Sequence, residues 1–291
     1  MGINNYFMSN RIAIVFLSAF LSVTGSSIAQ TGKPLYTSPL GVEAYTFRKS
    51  FPISIAKTLD TIKLLGFTEM ESGSEGTPET FRKLCDERDI HIVSLGAGYN
   101  QLANSPDSVI RMAKILGAKY VMCAWIPHKG GIFTIEDANS AVAVFNKAGK
   151  KLSDSGLIFC YHPHGYEFQP YENGNLLDYL IKNTNATDVS FEMDIFWIQF
   201  GGGDPVSLLK KYGNRWKLMH LKDMRKGTVK DLTGGTSVEN DVPLGTGELD
   251  IPAILKEAKI LGIEHYFIED ESNYVSQHVP RSIAYLQGLT E

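Results

Sequence analysis

Leu157-Ile158-Phe159-Cys160-Tyr161-His162-Pro163-His164 is a short apolar run that ends abruptly in two imidazoles. Continuous apolar runs of this length, rich in aromatic and β-branched residues, suit a strand buried on both faces in a parallel sheet. The arrangement recurs downstream, in Phe191-Glu192-Met193-Asp194, in Met219-His220-Leu221-Lys222-Asp223 and in Ile268-Glu269-Asp270-Glu271. Four successive runs thus deliver a His, an Asp, a His and a Glu at their C-terminal ends.

Upstream, Val42–Phe47, Phe67–Glu71, His91–Leu95 and Tyr120–Ala124 complete a set of eight runs. Helical stretches separate them. Ile55, Leu59 and Ile62 fall on one helical face. Thr77-Pro78, Ser105-Pro106 and Asp204-Pro205 each place a capping side chain before a first-turn proline, with Gly117 and Gly213 at C-cap positions. Thr134 with Asp137 forms a capping box before a helix ending near Gly156, and Asp250 opens another that ends near Gly262. Eight βα units over residues 30–291 match a single (β/α)8 barrel. A doubly wound sheet fits less well, because Val42–Phe47 leads into Arg48-Lys49-Ser50-Phe51 rather than a glycine-rich phosphate turn.

In such a barrel the strand C-termini form one rim, where active sites are built. His162 and His164, two apart on extended backbone, project to the same side, as do His220 and Lys222, while Leu221 faces the helices. Pro163 cannot donate to a ladder, which suits a strand end. The donor set His162, Asp194, His220 and Glu269 suits one borderline divalent ion, Mn²⁺, Co²⁺ or Zn²⁺, ahead of Mg²⁺.

The chain has 291 residues, 43% apolar and 21% charged, with net charge −4. It has no basic run to neutralise phosphates, which excludes a nucleic-acid partner. Cys85, Cys123 and Cys160 read as buried apolar residues rather than a disulfide or metal framework. Residues 1–29 read as a signal peptide: Arg11, the apolar run Ile12–Leu21, then Ser27 and Ala29 at the cleavage site. The mature protein is expected to start at Gln30 in the periplasm, without a stable membrane anchor; homo-oligomerisation is left open.

Tyr161-His162-Pro163-His164 followed by Glu167-Phe168 resembles the YHNH…EF signature of the sugar phosphate isomerase/epimerase family. Met193-Asp194-Ile195-Phe196-Trp197, His220-Leu221-Lys222-Asp223, Gly245-Thr246-Gly247-Glu248-Leu249-Asp250 and Ile268-Glu269 resemble its later motifs. The resemblance implies a xylose-isomerase-like barrel that binds one divalent metal through Asp194, His220 and Glu269, with His162 in the fifth-strand place. It implies proton abstraction next to a carbonyl, the metal stabilising an enediolate. Glu269, His164 and Lys222 are then the catalytic candidates, with Lys222 as base or oxyanion donor. Glu43, Glu71, Trp125 and Trp197 would line the substrate pocket. Two positions depart from the pattern. His162 replaces a glutamate that many of these epimerases use as one of two bases, and Pro163 replaces an asparagine.

Export and the acidic rim Glu269–Glu271 argue for an unphosphorylated sugar or keto-sugar, although Arg225 beside Lys222 and Lys226 offers some positive charge. The first expectation is a metal-dependent isomerase or epimerase. The alternative is a lyase or hydratase on a keto-sugar or keto-glycoside, and a non-catalytic sugar-binding barrel is the third reading. The polar segment Met224–Gly247 is expected to cover the metal, with Gly234-Gly235 and Gly245-Thr246-Gly247 as hinges.

Overall fold

The computed structural model describes residues 33–36, 39–129 and 131–290; the leader expected over residues 1–29 lies outside them. Eight parallel strands close into one barrel: β1 (Leu40–Glu43), β2 (Glu69–Ser72), β3 (His91–Gly96), β4 (Tyr120–Cys123), β5 (Ile158–Tyr161), β6 (Val189–Asp194), β7 (Trp216–Leu221) and β8 (His265–Ile268). β1 pairs with β8 through Leu40–Tyr266, Gly41–Phe267 and Val42–Ile268 and completes the ring. Among the described residues no helix is long and apolar enough to cross a membrane.

The local signals largely hold. Thr77 and Asp204 accept from the N–H groups of Thr80 and Ser207, and Thr134 and Asp137 cap reciprocally the long helix Ile135–Asp154. Gly117 and Gly262 end their helices at φ 77° and 71°, left-handed geometry that glycine adopts freely. Two expectations need correction. Ser105 precedes Pro106 without a side-chain capping bond. The first strand stops at Glu43 rather than Phe47, because the Glu43 carboxylate accepts from the Tyr45 N–H at 3.3 Å and caps a 3₁₀ turn over Ala44–Phe47.

The barrel interior is layered. Tyr120, Cys160, Leu218 and Phe267 form an apolar plug. The Phe267 ring lies so close to β1 that a Cβ on Gly41 would meet it at 2.5 Å. Beyond the plug, towards the strand C-termini, the inward positions become polar: Glu71, Glu192 and His220, then His162, Asp194 and Glu269. Register shifts fall between Met70 and Glu71 on β2 and between Phe191 and Glu192 on β6. The three cysteines are free and buried, as their spacing suggested.

Candidate metal centre and substrate cleft

The four expected ligands converge. Asp194 ends β6 and divides its carboxylate. Oδ1 accepts from the N–H groups of Phe196 (2.8 Å) and Trp197 (3.0 Å), capping the helix Ile195–Phe200. Oδ2 is left 3.7 Å from His162 Nε2 and 3.8 Å from His220 Nδ1. Glu269 Oε2 stands 3.1 Å from His220 Nδ1. Asp194, His220 and Glu269 offer donor atoms within 4.8 Å of one another, as do His162, Glu192 and His220, and also Glu43, Glu71 and His220. Both ring nitrogens of His162, both oxygens of Glu192 and Asp194 Oδ2 are buried without a hydrogen-bond partner. Such polar atoms are costly to bury unsatisfied, and this donor chemistry fits a divalent cation.

Electrostatics split the centre. Burial, the charge of His220 and neighbouring His164 push the His162 imidazole well below its usual range, so it is neutral. Burial also works against charge on His220, but the carboxylates of Glu192, Glu269 and Glu71 outweigh it and raise its pKa well above normal. Glu269 responds in kind: Lys222 and His220 overcome its burial and hold it ionised. Asp194 is pushed up to about 7, chiefly by burial. Burial and the nearby Glu71 raise Glu43 and Glu192 well above the carboxylate range. A bound dication would change this balance by favouring ionised carboxylates and neutral imidazoles.

Above the centre opens a cleft of about 370 Å³, lined by Glu43, Tyr45, Met122, Ala124, Trp125, His162, His164, Trp197, His220, Gly234–Val238, Asp241, Glu269 and Glu271. That size suits a small ligand. His164 lines it, its Nδ1 is buried without a hydrogen-bond partner, and burial lowers its pKa to about 4. Trp125 and Trp197 pack on His164 with ring centroids 5.7 and 5.1 Å away. Asp241 is held up at about 7 by burial, against the pull of Lys222.

Not every candidate reaches the cleft. Lys222 shares a side with His220, as alternation requires, but it is buried behind the lining. It pairs with Glu271 and lies 3.7 Å from both Asp241 and Glu269. Those carboxylates outweigh burial and hold its ammonium. Glu71 lies below the cleft, 2.8 Å from His220 Nε2. Arg225 is turned away and donates to the Glu239 carbonyl. Sequence reasoning missed Glu192, although it stands two residues before Asp194 and therefore on the same side of the strand. It also missed Asp241, whose position depends on a two-residue antiparallel ladder between Asp223–Met224 and Asp241–Val242.

The remaining motif residues are scaffolding. Glu167 accepts from the Tyr161 hydroxyl and the His164 N–H and fixes the end of β5. Tyr166 OH accepts from the Ile126 N–H at 2.8 Å and steadies the Trp125 wall. Asp223 accepts from the N–H groups of Met224, Gly245, Gly247 and Leu249. Gly245-Thr246-Gly247 is therefore an anchor rather than a hinge. A Cβ on Gly247 would lie 2.2 Å from Asp223 Oδ1. Gly234 does cover the cleft; it is packed so tightly that a Cβ would meet Tyr166 at 2.5 Å.

The xylose isomerase-like TIM barrel family matches residues 59–287. The chain belongs to that family. Over 100 residues it is 37% identical to the inosose dehydratase of Clostridium tetani, a match covering 34% of this chain and 33% of that protein. The matched stretch thus spans about a third of that curated relative. A sugar phosphate isomerase/epimerase from Parabacteroides distasonis superposes with a TM-score of 0.72 at 22% identity, over 90% of this chain and 98% of its own. The IolI protein with a bound zinc atom superposes with a TM-score of 0.65 at 16% identity, over 86% and 95% of the two chains. At these identities the solved structures speak for the fold alone.

Proposed function

We propose that this protein is a divalent-metal-dependent carbohydrate lyase that removes water, or another β-substituent, from an unphosphorylated keto-sugar or related keto-polyol. The observation that carries this reading is the unlikeness of the two sides of the cleft. The neutral His164 imidazole stands on one side; Glu269, Glu271 and Asp241 stand around the buried Lys222 ammonium on the other. Epimerisation calls for matched bases on both faces, whereas elimination uses one group to take a proton and another to give one. The relative named inosose dehydratase supports elimination over the isomerase first expected, and the IolI protein's zinc supports the metal.

His162, Asp194, His220 and Glu269 would hold the ion. When bound, it supplies Lewis-acid stabilisation of the negative charge that develops on the carbonyl oxygen. The His164 imidazole takes the proton from the carbon next to the carbonyl. The electron pair forms the carbon–carbon double bond as the β-hydroxyl departs. Asp241, poised near neutrality, gives that hydroxyl its proton, so the products are an unsaturated ketone and water. Trp125 and Trp197 present indole surfaces to the sugar ring. The lining carries Glu43, Asp241, Glu269 and Glu271 and, among the described residues, neither Lys nor Arg. A phosphate dianion would be repelled there.

A panel of sugars and keto-sugars incubated with metal-loaded protein in D₂O tests this reading. A product lighter by one water, with deuterium exchange at a carbon beside the carbonyl, is expected. Isomeric products with no loss of water would restore the epimerase. We further propose that the protein acts in the periplasm, on the strength of the leader expected over residues 1–29.

A further inference from the structure

We infer that Glu71 and Glu192, one layer below the rim, are positioning residues that decide which nitrogen of each histidine faces the metal. The inference rests on the divalent-ion reading above. Each imidazole lies between two acidic layers. His220 turns Nδ1 towards Glu269 (3.1 Å) and Asp194 (3.8 Å), and Nε2 towards Glu71 (2.8 Å) and Glu192 (3.4 Å). His162 turns Nε2 towards Asp194 (3.7 Å) and Nδ1 towards Glu192 (3.5 Å). Glu192 thus serves both rings, with Oε2 facing His162 and Oε1 facing His220. Glu71 and Glu192 each pair just after a register shift, with Val93 and Lys217 the residues skipped on the neighbouring strands.

A neutral imidazole carries one N–H and one lone pair. An N–H directed at the lower carboxylates leaves the lone pair directed at the rim. His220 is therefore assigned as an Nδ1 ligand with Nε2–H donating to Glu71. His162 is an Nε2 ligand with Nδ1–H towards Glu192. A carboxylate behind a ligating histidine fixes its tautomer and ring orientation, and its removal costs metal affinity.

The test uses the full chain loaded with Zn²⁺. Long-range ¹H–¹⁵N spectra of the histidine side chains should show Nδ1–H for His162 and Nε2–H for His220, with one ion per chain. Competition with a chelating dye should show zinc held roughly ten- to a hundredfold more weakly by Glu71→Gln and Glu192→Gln. The reverse tautomers, or unchanged affinity in a folded variant, would overturn the inference. Two ions per chain, with one lost in Glu192→Gln, would make Glu192 a ligand and overturn it too. The tautomers are read on the unmodified chain, so the inference stays exposed even if a variant fails to fold. A chain that binds no zinc overturns the metal reading and this inference together; zinc bound through the other nitrogens overturns this inference alone.

Discussion

Replacing Asp223 by Ala should loosen the cover of the cleft while leaving the barrel folded. Asp223 is 2% exposed and its carboxylate accepts four backbone N–H groups, from Met224 (2.9 Å), Gly245 (3.0 Å), Gly247 (2.9 Å) and Leu249 (3.2 Å). Each bond contributes about 1 kcal/mol net, so losing all four costs about 4 kcal/mol. Burial raises the Asp223 pKa despite these bonds. A loss of about 4 kcal/mol is roughly a thousandfold in the opening equilibrium of the segment. Hydrogen exchange followed by mass spectrometry should show that loss of protection in peptides covering Gly245–Leu249, with strand peptides from β3 and β4 unchanged. Unchanged protection at Gly245–Leu249, or an equal loss throughout the barrel, would refute the assignment of Asp223 as a local staple.

Other expectations follow from the same geometry. His162→Glu should retain the metal but lower the native elimination at least tenfold, about 1.4 kcal/mol in barrier, because a second carboxylate would make the two faces alike. Steady-state rates on metal-loaded protein check this. Burial raises Glu167 from an ordinary 4.5 to about 7, so the folded state binds its proton more tightly than the unfolded chain does. Its favourable contribution is complete below about pH 4.5 and is lost as pH rises through 7. Urea unfolding should therefore show Glu167→Gln gaining on the parent by roughly 3 kcal/mol between pH 4.5 and 8, and a constant difference would refute the linkage. Lys222→Met should destabilise the fold by about 3 kcal/mol or more, measured by denaturation, because it strands the carboxylates around it. Exported material should begin at Gln30 on N-terminal sequencing; an intact leader would refute the cleavage assignment.

How legible these features were in the sequence follows from their range. The barrel was readable because each strand and cap is a local signal: Val189–Asp194 and Trp216–Leu221 are bounded as the apolar runs suggest. The rim cluster was readable because strand ends share one face, which placed His162, Asp194, His220 and Glu269 together. The lower carboxylate layer was not. Glu71 read as a pocket-lining residue, and Glu192, although two residues before Asp194 on the same side of its strand, lies below the strand end where ligands were sought. The burial of Lys222 was not legible either, since the charges around it come from Asp241 and Glu271, whose meeting is set by tertiary contacts. Arg225 looked available to substrate until the Glu239 carbonyl, fourteen residues on, was brought beside it.

The most direct test of the account follows deuterium uptake by one accepted keto-sugar in D₂O, with protein stripped by a chelator and then reloaded with Zn²⁺, Mn²⁺ or Co²⁺. The account predicts that exchange at the carbon beside the carbonyl, and formation of the unsaturated ketone, vanish on stripping and return on reloading. It also predicts that Asp194→Ala recovers neither. Exchange that persists in the stripped protein, or in folded Asp194→Ala, would contradict a metal-dependent elimination at this rim.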